Sequence, residues 1–245
     1  MSDCRDAVLG LLEAIEGRDL RAVARRLAPD ASWQNVPHPP VRGRDEVVGF
    51  LRGIVTWSDE VRWDVVASQF DRTRAWLERV DRFRLDGEWH GVRCNGVFEV
   101  DPAGLVCEVR DYVDLGEWRD RVLPVLDRLA ARSPLEVVAR HLGAVRRGDR
   151  VAMAADYAPG AVLVRASTTH AGWAAIAEYF DGVPSRLGGR AVSFTDVAAL
   201  SNDVVRCRWE IARDETATAV RGVDTYVVSG GRIIHQTVEL LTDDF

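Results

Sequence analysis

Apolar residues recur at helical spacing near the start of the chain and again in its second half. The first set is Val8, Leu11, Leu12 and Ile15, and the second is Leu135, Val138, Leu142 and Val145. Each half is therefore predicted to open on an amphipathic helix. A short helix, a strand and a third helix follow in the prediction, and then several strands in which apolar and polar residues alternate. Helices followed by such strands, with turn signals like LDGEW, DPAGL and SGGR, predict an α+β fold.

The two halves are copies of one unit. The segment at 13–32 (EAIEGRDLRAVARRLAPDAS) aligns without gaps on the segment at 143–162 (GAVRRGDRVAMAADYAPGAV), at a constant offset of 130 residues. Asp19 then matches Asp149, and an Ala-Pro pair matches further along. Self-similarity at a fixed offset predicts a tandem repeat of two domains.

The boundary between the copies is predicted in the segment LAARSPL. Ser133 is suited to a helix N-cap and Pro134 to the first helical position, which gives domains at 1–131 and 132–245. Each length is ordinary for a domain with its own core. Because no low-complexity linker separates the copies, we expect them to pack as an intramolecular pseudo-dimer, and association of two chains as a homodimer stays open.

Composition narrows the classes of function. The 245 residues are 47% hydrophobic and 29% charged, and no apolar run reaches the roughly 20 residues that a membrane helix requires. The start, MSDCRDAVLG, does not have the pattern of a secretory signal, so we expect a cytoplasmic protein without a membrane partner. The net charge is −6, all 32 basic residues are arginine, and no basic patch stands out, which argues against nucleic acid as a partner.

Cysteine and histidine spacing indicates neither a disulfide framework nor a metal site. The four cysteines contain no CxxC pair, and the five histidines contain no HxH or HExxH motif. The cysteines are predicted to be buried free thiols, and no metal or cofactor is expected.

Two predicted strands of the first copy carry charges where one face should be apolar. In the strand at 76–85 (WLERVDRFRL), Arg79 and Asp81 share a face, and Asp111 lies on the strand at 105–115 (LVCEVRDYVDL). If these are the covered faces, one arginine and two carboxylates lie in an apolar cavity. Burying charge is costly unless the groups pair, so this pattern predicts a paired functional cluster.

Three motifs, in order, resemble those of the limonene-1,2-epoxide hydrolases. WQNVPHPPVRG at 33–43 is similar to the family's water-holding segment, ERVD at 78–81 to its Arg-x-Asp strand, and VRDYVDLGEW at 109–118 to its terminal strand. The resemblance covers about the first 125 residues. It implies cone-shaped domains of the NTF2-like (SnoaL-like) superfamily, with N-terminal helices packed on a curved, mostly antiparallel mixed sheet. It also implies a small-molecule epoxide substrate and no cofactor.

The resemblance assigns a role to each polar residue. Asp111 is implied as the base, Asp81 as the acid and Arg79 as the bridge between them. A base and an acid are what epoxide opening by water requires, and two like charges in a dry site favour a pair that shares one proton. Asn35 matches the family's water-orienting amide, whereas Trp33 stands in place of a tyrosine and can donate one hydrogen bond but accept none.

Apolar residues on the same predicted faces are expected to contact the substrate. They are Phe83, Val92, Cys94 and Val113.

The second copy lacks this set. Val238 is expected at the position of Asp111, and Leu163 and Arg165 at the positions of Trp33 and Asn35. Arg208 and Glu210 are expected to correspond to Arg79 and Asp81. The second domain is therefore predicted to be a degenerate NTF2-like domain with a structural role. A different acid/base set of Glu210, Asp156 and Asp224 is the alternative.

The leading functional hypothesis is a cofactor-independent epoxide hydrolase in natural-product tailoring. One alternative is an epoxide-opening cyclase, in which a substrate hydroxyl replaces water. Another is a SnoaL-like or ketosteroid-isomerase-like enzyme that moves protons next to a carbonyl. The last is a non-catalytic ligand-binding module, since a fold does not fix a function.

Overall fold

A computed structural model describes residues 4–212 and 218–242 of the chain. Contacts divide the chain into two compact units, which meet in sequence between Asp127 and Arg128. We call them the N-terminal and the C-terminal domain. Ser133 is the N-cap that the sequence predicts for the second copy, and it forms a capping box with Glu136, because the Ser133 hydroxyl and the Glu136 carboxylate each accept a hydrogen bond from the other's backbone N–H.

The N-terminal domain has two helices before its first strand, a third helix after its second strand and a helical segment after its last strand. The helices are α1 (Cys4–Glu16), α2 (Leu20–Arg26), α3 (Arg44–Trp57), α4 (Leu115–Glu117) and α5 (Leu123–Ala130), with one π-helical turn at Trp118–Val122 between the last two. The strands are β1 (Leu27–Asn35), β2 (Val41–Arg42), β3 (Glu60–Phe70), β4 (Arg74–Leu85), β5 (Glu88–Val100) and β6 (Val106–Val113).

These strands form one sheet in the order β2-β1-β6-β5-β4-β3. Only the pair β1 and β6 is parallel, so the sheet is mixed and mostly antiparallel. On β4 the side chains are alternately buried and exposed from Arg74 to Asp81, and the buried set includes Arg79 and Asp81. The covered face of this strand is therefore the face with the buried charges.

The C-terminal domain repeats this order of elements. Its helices are α6 (Pro134–Arg147), α7 (Arg150–Ala155), α8 (Trp173–Asp181) and α9 (Val183–Leu187). Its strands are β7 (Tyr157–Arg165), β8 (Thr168–Ala171), β9 (Val192–Ala199), β10 (Val204–Ile211), β11 (Val220–Ser229) and β12 (Arg232–Leu240). They form a second sheet in the equivalent order, β8-β7-β12-β11-β10-β9, and β7 and β12 are its parallel pair. The predicted α+β repeat is confirmed.

The first helix of each domain packs its apolar face on its own sheet. All four predicted positions of α1 are buried, and burial of side chains such as Leu11 and Ile15 stabilises the fold by about 2 kcal/mol each. On α6 one predicted core residue is wrong, because Leu135 is exposed in the first turn. Val137 and His141 are buried on α6 instead.

Three of the four cysteines are buried, Cys107 is partly buried, and all four are free thiols. Within the described residues, no helix has the length and apolar character needed to span a membrane.

Candidate active site

Arg79 lies between two carboxylates inside the N-terminal domain. Its Nε donates to Oδ1 of Asp81 at 2.7 Å, and its Nη2 donates to Oδ2 of Asp111 at 2.8 Å. Nη2 also contacts the second oxygen of Asp81 at 3.3 Å. All three residues are at most 6% exposed. The structure thus joins the two predicted carboxylates through one guanidinium.

The bridge crosses an intervening strand, because Asp81 and Arg79 lie on β4 and Asp111 lies on β6. Gly96 on β5 pairs in register with Asp111 and leaves the space for this crossing. A Cβ at Gly96 would lie 2.2 Å from Nη1 of Arg79 and 2.7 Å from Oδ1 of Asp111. Only glycine therefore lets the guanidinium lie over the backbone of β5.

Two aromatic rings flank the guanidinium. The Cζ atom of Arg79 lies 4.4 Å from the ring centroid of Trp63 and 5.5 Å from that of Phe98. Trp33 packs edge-on against both rings. Ring faces attract a cation, and these rings also exclude water from the charged cluster.

Burial sets the protonation of the acid. It raises the pKa of Asp81 to about 6, because the nearby Arg79 charge only partly offsets desolvation and the Asp111 charge adds to the rise. Burial alone would lower the pKa of Arg79, but the charges of Asp111 and Asp81 outweigh it and raise that pKa. The cluster therefore keeps a permanent cation beside a carboxyl that is ready to hold a proton.

Trp33 acts on Asp111 through its indole. Its Nε1 donates to Oδ2 of Asp111 at 3.2 Å, so this oxygen accepts from both Trp33 and Arg79. Oδ1 of Asp111 accepts no hydrogen bond from any described residue. Asn35 pairs in register with Asp111 on the adjacent parallel strand and lines the same cavity.

A cavity of about 350 Å³ opens beside the two carboxylates. Three of the residues expected to contact the substrate, Phe83, Val92 and Val113, line this cavity. Cys94, also expected to contact the substrate, does not line the cavity. It is buried next to the charged cluster, and burial raises the pKa of its thiol.

Sequence reasoning missed most of the apolar wall. The further lining residues are Phe50, Leu51 and Ile54 of α3, Trp63 of β3, and Leu115, Trp118 and Leu126 of the segment after β6. Period-two alternation marks Trp63 as an inward residue, but nothing in the sequence places it beside Arg79. Trp118 packs edge-on against Phe83, which brings the segment after β6 over the cavity.

Strand register aligns the second domain with the first. Arg165 pairs with Val238 as Asn35 pairs with Asp111, so Val238 occupies the position of the implied base. Trp209 pairs with Gly222 on β11, as Arg79 pairs with Cys94 on β5.

The expected correspondence of Arg208 and Glu210 with Arg79 and Asp81 is therefore wrong by one residue. Trp209 and Ile211 occupy those positions, and both are buried. A shift of one residue moves a side chain to the other face of a sheet, and the apolar pair takes the covered face.

The alternative acid/base set in the second domain does not converge. Asp156 accepts hydrogen bonds from Arg140 at 2.9 Å and Arg132 at 3.2 Å. Glu210 pairs with Arg221 at 2.7 Å on the other face of the sheet. Asp224 alone faces the interior cavity of that domain.

Comparison with known families divides the chain in the same way. Residues 2–122 match the model of the limonene-1,2-epoxide hydrolase catalytic domain, and residues 138–236 match the model of the SnoaL-like domain.

Similar solved structures come from both groups. An LEH-like epoxide hydrolase from M. tuberculosis is 25% identical, with 50% of this chain and 91% of that chain covered and a TM-score of 0.44. A SnoaL-like polyketide cyclase candidate from Shewanella putrefaciens CN-32 is 12% identical, with 50% and 98% covered and a TM-score of 0.45. A polyketide cyclase candidate from Pseudomonas putida KT2440 is 15% identical, with 50% and 99% covered and a TM-score of 0.45.

The chain is thus a tandem fusion of two NTF2-like domains, of which the first matches the limonene-1,2-epoxide hydrolase family and the second matches the SnoaL-like family.

Proposed function

We propose that the N-terminal domain opens epoxides with water, without a cofactor. The observation that carries the proposal is the guanidinium of Arg79, which bonds to Asp81 at 2.7 Å and to Asp111 at 2.8 Å inside an apolar cavity. Epoxide opening by water needs a base and an acid at the same time, and a pair of coupled carboxyls supplies both.

In the proposed reaction, Asp111 removes a proton from water as the water oxygen bonds to an epoxide carbon. The ring C–O bond breaks, and Asp81 gives its proton to the departing oxygen, which yields a diol. Asp111 is then protonated and Asp81 ionised. Transfer of one proton from Asp111 to Asp81, directly or through water, restores the starting state with no covalent enzyme intermediate.

The two remaining polar residues act on the base and on the water. Trp33 and Arg79 both donate to Oδ2 of Asp111, which holds this carboxylate in place and leaves Oδ1 without a protein donor. Asn35 lies on the neighbouring strand at the same level, where its carbonyl oxygen can accept the second hydrogen of the attacking water. Trp33 therefore serves as a donor to the base rather than as a ligand of the water.

The cavity suits an apolar substrate. Its lining is mostly aromatic and aliphatic, and its volume of about 350 Å³ lies within the usual range for small-molecule sites. Asp81 and Asp111 already pair with Arg79, which disfavours a cationic substrate as their partner.

A panel of apolar epoxides incubated with the full chain in ¹⁸O-labelled water tests the proposal. Water attack predicts a diol that carries one ¹⁸O atom. An unlabelled cyclic ether from an epoxide that bears its own hydroxyl would favour the cyclase instead. Absence of turnover across the panel would leave proton transfer or ligand binding as the function of this cavity.

A further inference from the structure

A second buried polar network lies inside the C-terminal domain. Asp224 on β11 accepts three hydrogen bonds of 2.8 Å each, from Nε1 of Trp209, Oη of Tyr226 and Nε2 of Gln236. The oxygen Oε1 of Gln236 accepts from Oη of Tyr157, and Nε2 of Gln236 also reaches Oη of Tyr226 at 3.3 Å. All five residues are at most 8% exposed.

Apart from Trp209, which occupies the position of Arg79, this network has no polar counterpart in the first domain. Four members occupy positions that are apolar or glycine there, as strand register and the repeat alignment show. The corresponding pairs are Tyr157 and Leu27, Asp224 and Gly96, Tyr226 and Phe98, and Gln236 and Val109.

A buried polar network is not expected in a domain that has only a structural role. Burying a carboxylate costs several kcal/mol unless donors compensate it, and well-packed apolar residues usually give equal or greater stability. A domain that only supported the first would gain stability from the Leu, Gly, Phe and Val of the first copy. The network therefore points to a ligand that needs it.

The carboxylate faces a cavity of about 70 Å³. A single water needs about 10–15 Å³ of such space, so the cavity has room for a molecule of about five to seven heavy atoms at most. Its walls are mostly apolar and aromatic, with Phe180, Phe194 and Val192 among them. The ligand must therefore be small and largely hydrocarbon.

Hydrogen-bond capacity defines the polar group of the ligand. Tyr226 donates to Asp224 and accepts from Gln236, while both ends of the Gln236 amide are engaged. On Asp224, Oδ2 accepts two bonds but Oδ1 accepts only one. Since each carboxylate oxygen accepts two, Oδ1 of Asp224 keeps one acceptor position, and only a donor fills it.

Charge defines the ligand further. Arg165 also lines the cavity, so an ammonium would meet a like charge, and an anion would meet Asp224. The other titratable groups in the wall add no charge near neutral pH, because burial lowers the pKa of His141 to about 4 and raises the pKa values of Tyr179 and Tyr226. A neutral ligand avoids an uncompensated buried charge.

We infer that the C-terminal domain binds a small neutral alcohol, whose hydroxyl donates to Oδ1 of Asp224 and whose hydrocarbon part fills the aromatic cavity. This site is separate from the proposed epoxide site and does not depend on that proposal. The second domain is then a binding domain in its own right.

The test compares 2-propanol with acetone, which share a carbon skeleton but differ in the ability to donate. Each is titrated into the ¹⁵N-labelled full chain at pH 7.5, and the indole N–H signal of Trp209 is followed, assigned by its loss in Trp209→Phe. Two cavity-filling variants serve as a matched pair, Val192→Phe in this cavity and Ile54→Phe in the cavity of the first domain, with circular dichroism as the check on folding.

The expected result is a saturable shift with 2-propanol at millimolar concentrations and at least tenfold weaker binding of acetone. Val192→Phe should abolish the shift, and Ile54→Phe should preserve it. Equal binding of acetone would overturn the assignment of a donor ligand. Absence of saturation, or saturation that survives Val192→Phe, would overturn the site itself.

Discussion

The two domains share the order of strands in the sheet and one local packing arrangement, yet the polar residues around that arrangement differ. In each, a large side chain from one strand lies across a glycine of the next strand, Arg79 over Gly96 and Trp209 over Gly222. The glycine of the second domain is two residues earlier in register, because Gly222 pairs with Trp209 and Asp224 follows at the position of Gly96. Residues two apart on a strand point to the same face, so Asp224 lies on the interior face, as Gly96 does in the first domain. The first domain therefore has an arginine bridge at this place, and the second has a carboxylate that accepts from neutral donors.

This difference shows that one interior supports two kinds of buried charge. In the first domain the carboxylates pair with a cation, and in the second the carboxylate is compensated by an indole, a phenol and an amide. The pKa of one carboxyl is nonetheless about 6 in both, and in Asp224, as in Asp81, burial is the main cause. Burial thus has the same effect on both acids despite their different partners.

The largest difference in effect between the two domains is expected from substitutions at Asp111 and at the equivalent Val238. Asp111→Asn removes the proton acceptor while keeping the shape, and should lower kcat/KM for epoxide opening by about 10³-fold, within the usual range for general acid–base groups. Val238→Asn at the equivalent position of the second domain should leave kcat/KM unchanged. Steady-state kinetics with both variants, checked for folding by circular dichroism, makes the comparison. Wild-type rates in Asp111→Asn would remove Asp111 from the mechanism.

The two glycines should respond differently to the same substitution. Gly96→Ala forces Arg79 away from Asp111, because the new Cβ would lie 2.2 Å from Nη1, and should lower kcat by about 10²-fold. Gly222→Ala would bring its Cβ within 2.3 Å of the Trp209 ring and should lower only the free energy of unfolding, by about 1–3 kcal/mol. Turnover at 25 °C and chemical denaturation separate the two effects. Equal loss of turnover in both would show that the glycines act through stability alone.

The pH profile should report the acid of the first domain alone. Asp81 works in its protonated form, and its pKa is raised from 3.8 to about 6, so this form is lost as pH rises through 6. We expect kcat/KM to fall about tenfold per pH unit above that value, as a property of the coupled pair. Asp224 has a pKa in the same range, so Asp224→Asn is the matched control and should leave the profile in place. If the fall in kcat/KM moved to another pH in Asp224→Asn, it would report Asp224 of the second domain and not Asp81.

The smallest effect is expected from the two indole donors. Trp33→Phe keeps the ring but removes the donor 3.2 Å from Asp111, and should lower kcat by about tenfold, as for one hydrogen bond to a charged group. Trp209→Phe removes the equivalent donor to Asp224 and should leave kcat unchanged. If Trp33→Phe matched the wild type in kcat, the indole would serve only as packing.

Much of the fold follows from sequence because it depends on local periodicity. Helical spacing and the Ser133 N-cap each lie within one short segment, and the structure confirms them except for the exposed Leu135. The shared face of Arg79 and Asp81 could also be predicted from the sequence, since alternation along one strand places both side chains on the same side of the sheet.

The remaining features depend on register between strands, which a single segment does not contain. The role of Gly96 requires knowing that it lies between Leu77 on β4 and Asp111 on β6. In the segment CRWEI, either Arg208 and Glu210 or Trp209 and Ile211 could face the interior of the domain. Analogy with ERVD selects Arg208 and Glu210, but in the structure these two lie on the opposite face of the sheet. The network around Asp224 combines residues from four strands, so its members look unrelated in the sequence.

A single-turnover reaction in ¹⁸O-labelled water, with the full chain in excess over an epoxide that it opens, tests the central claim most directly. If Asp111 acts as a base on water, the diol formed in the first turnover carries ¹⁸O and the protein carries none. A first-turnover diol with unlabelled oxygen, together with ¹⁸O in an aspartate carboxyl after hydrolysis, would mean that a carboxylate attacks the epoxide itself and would contradict the account.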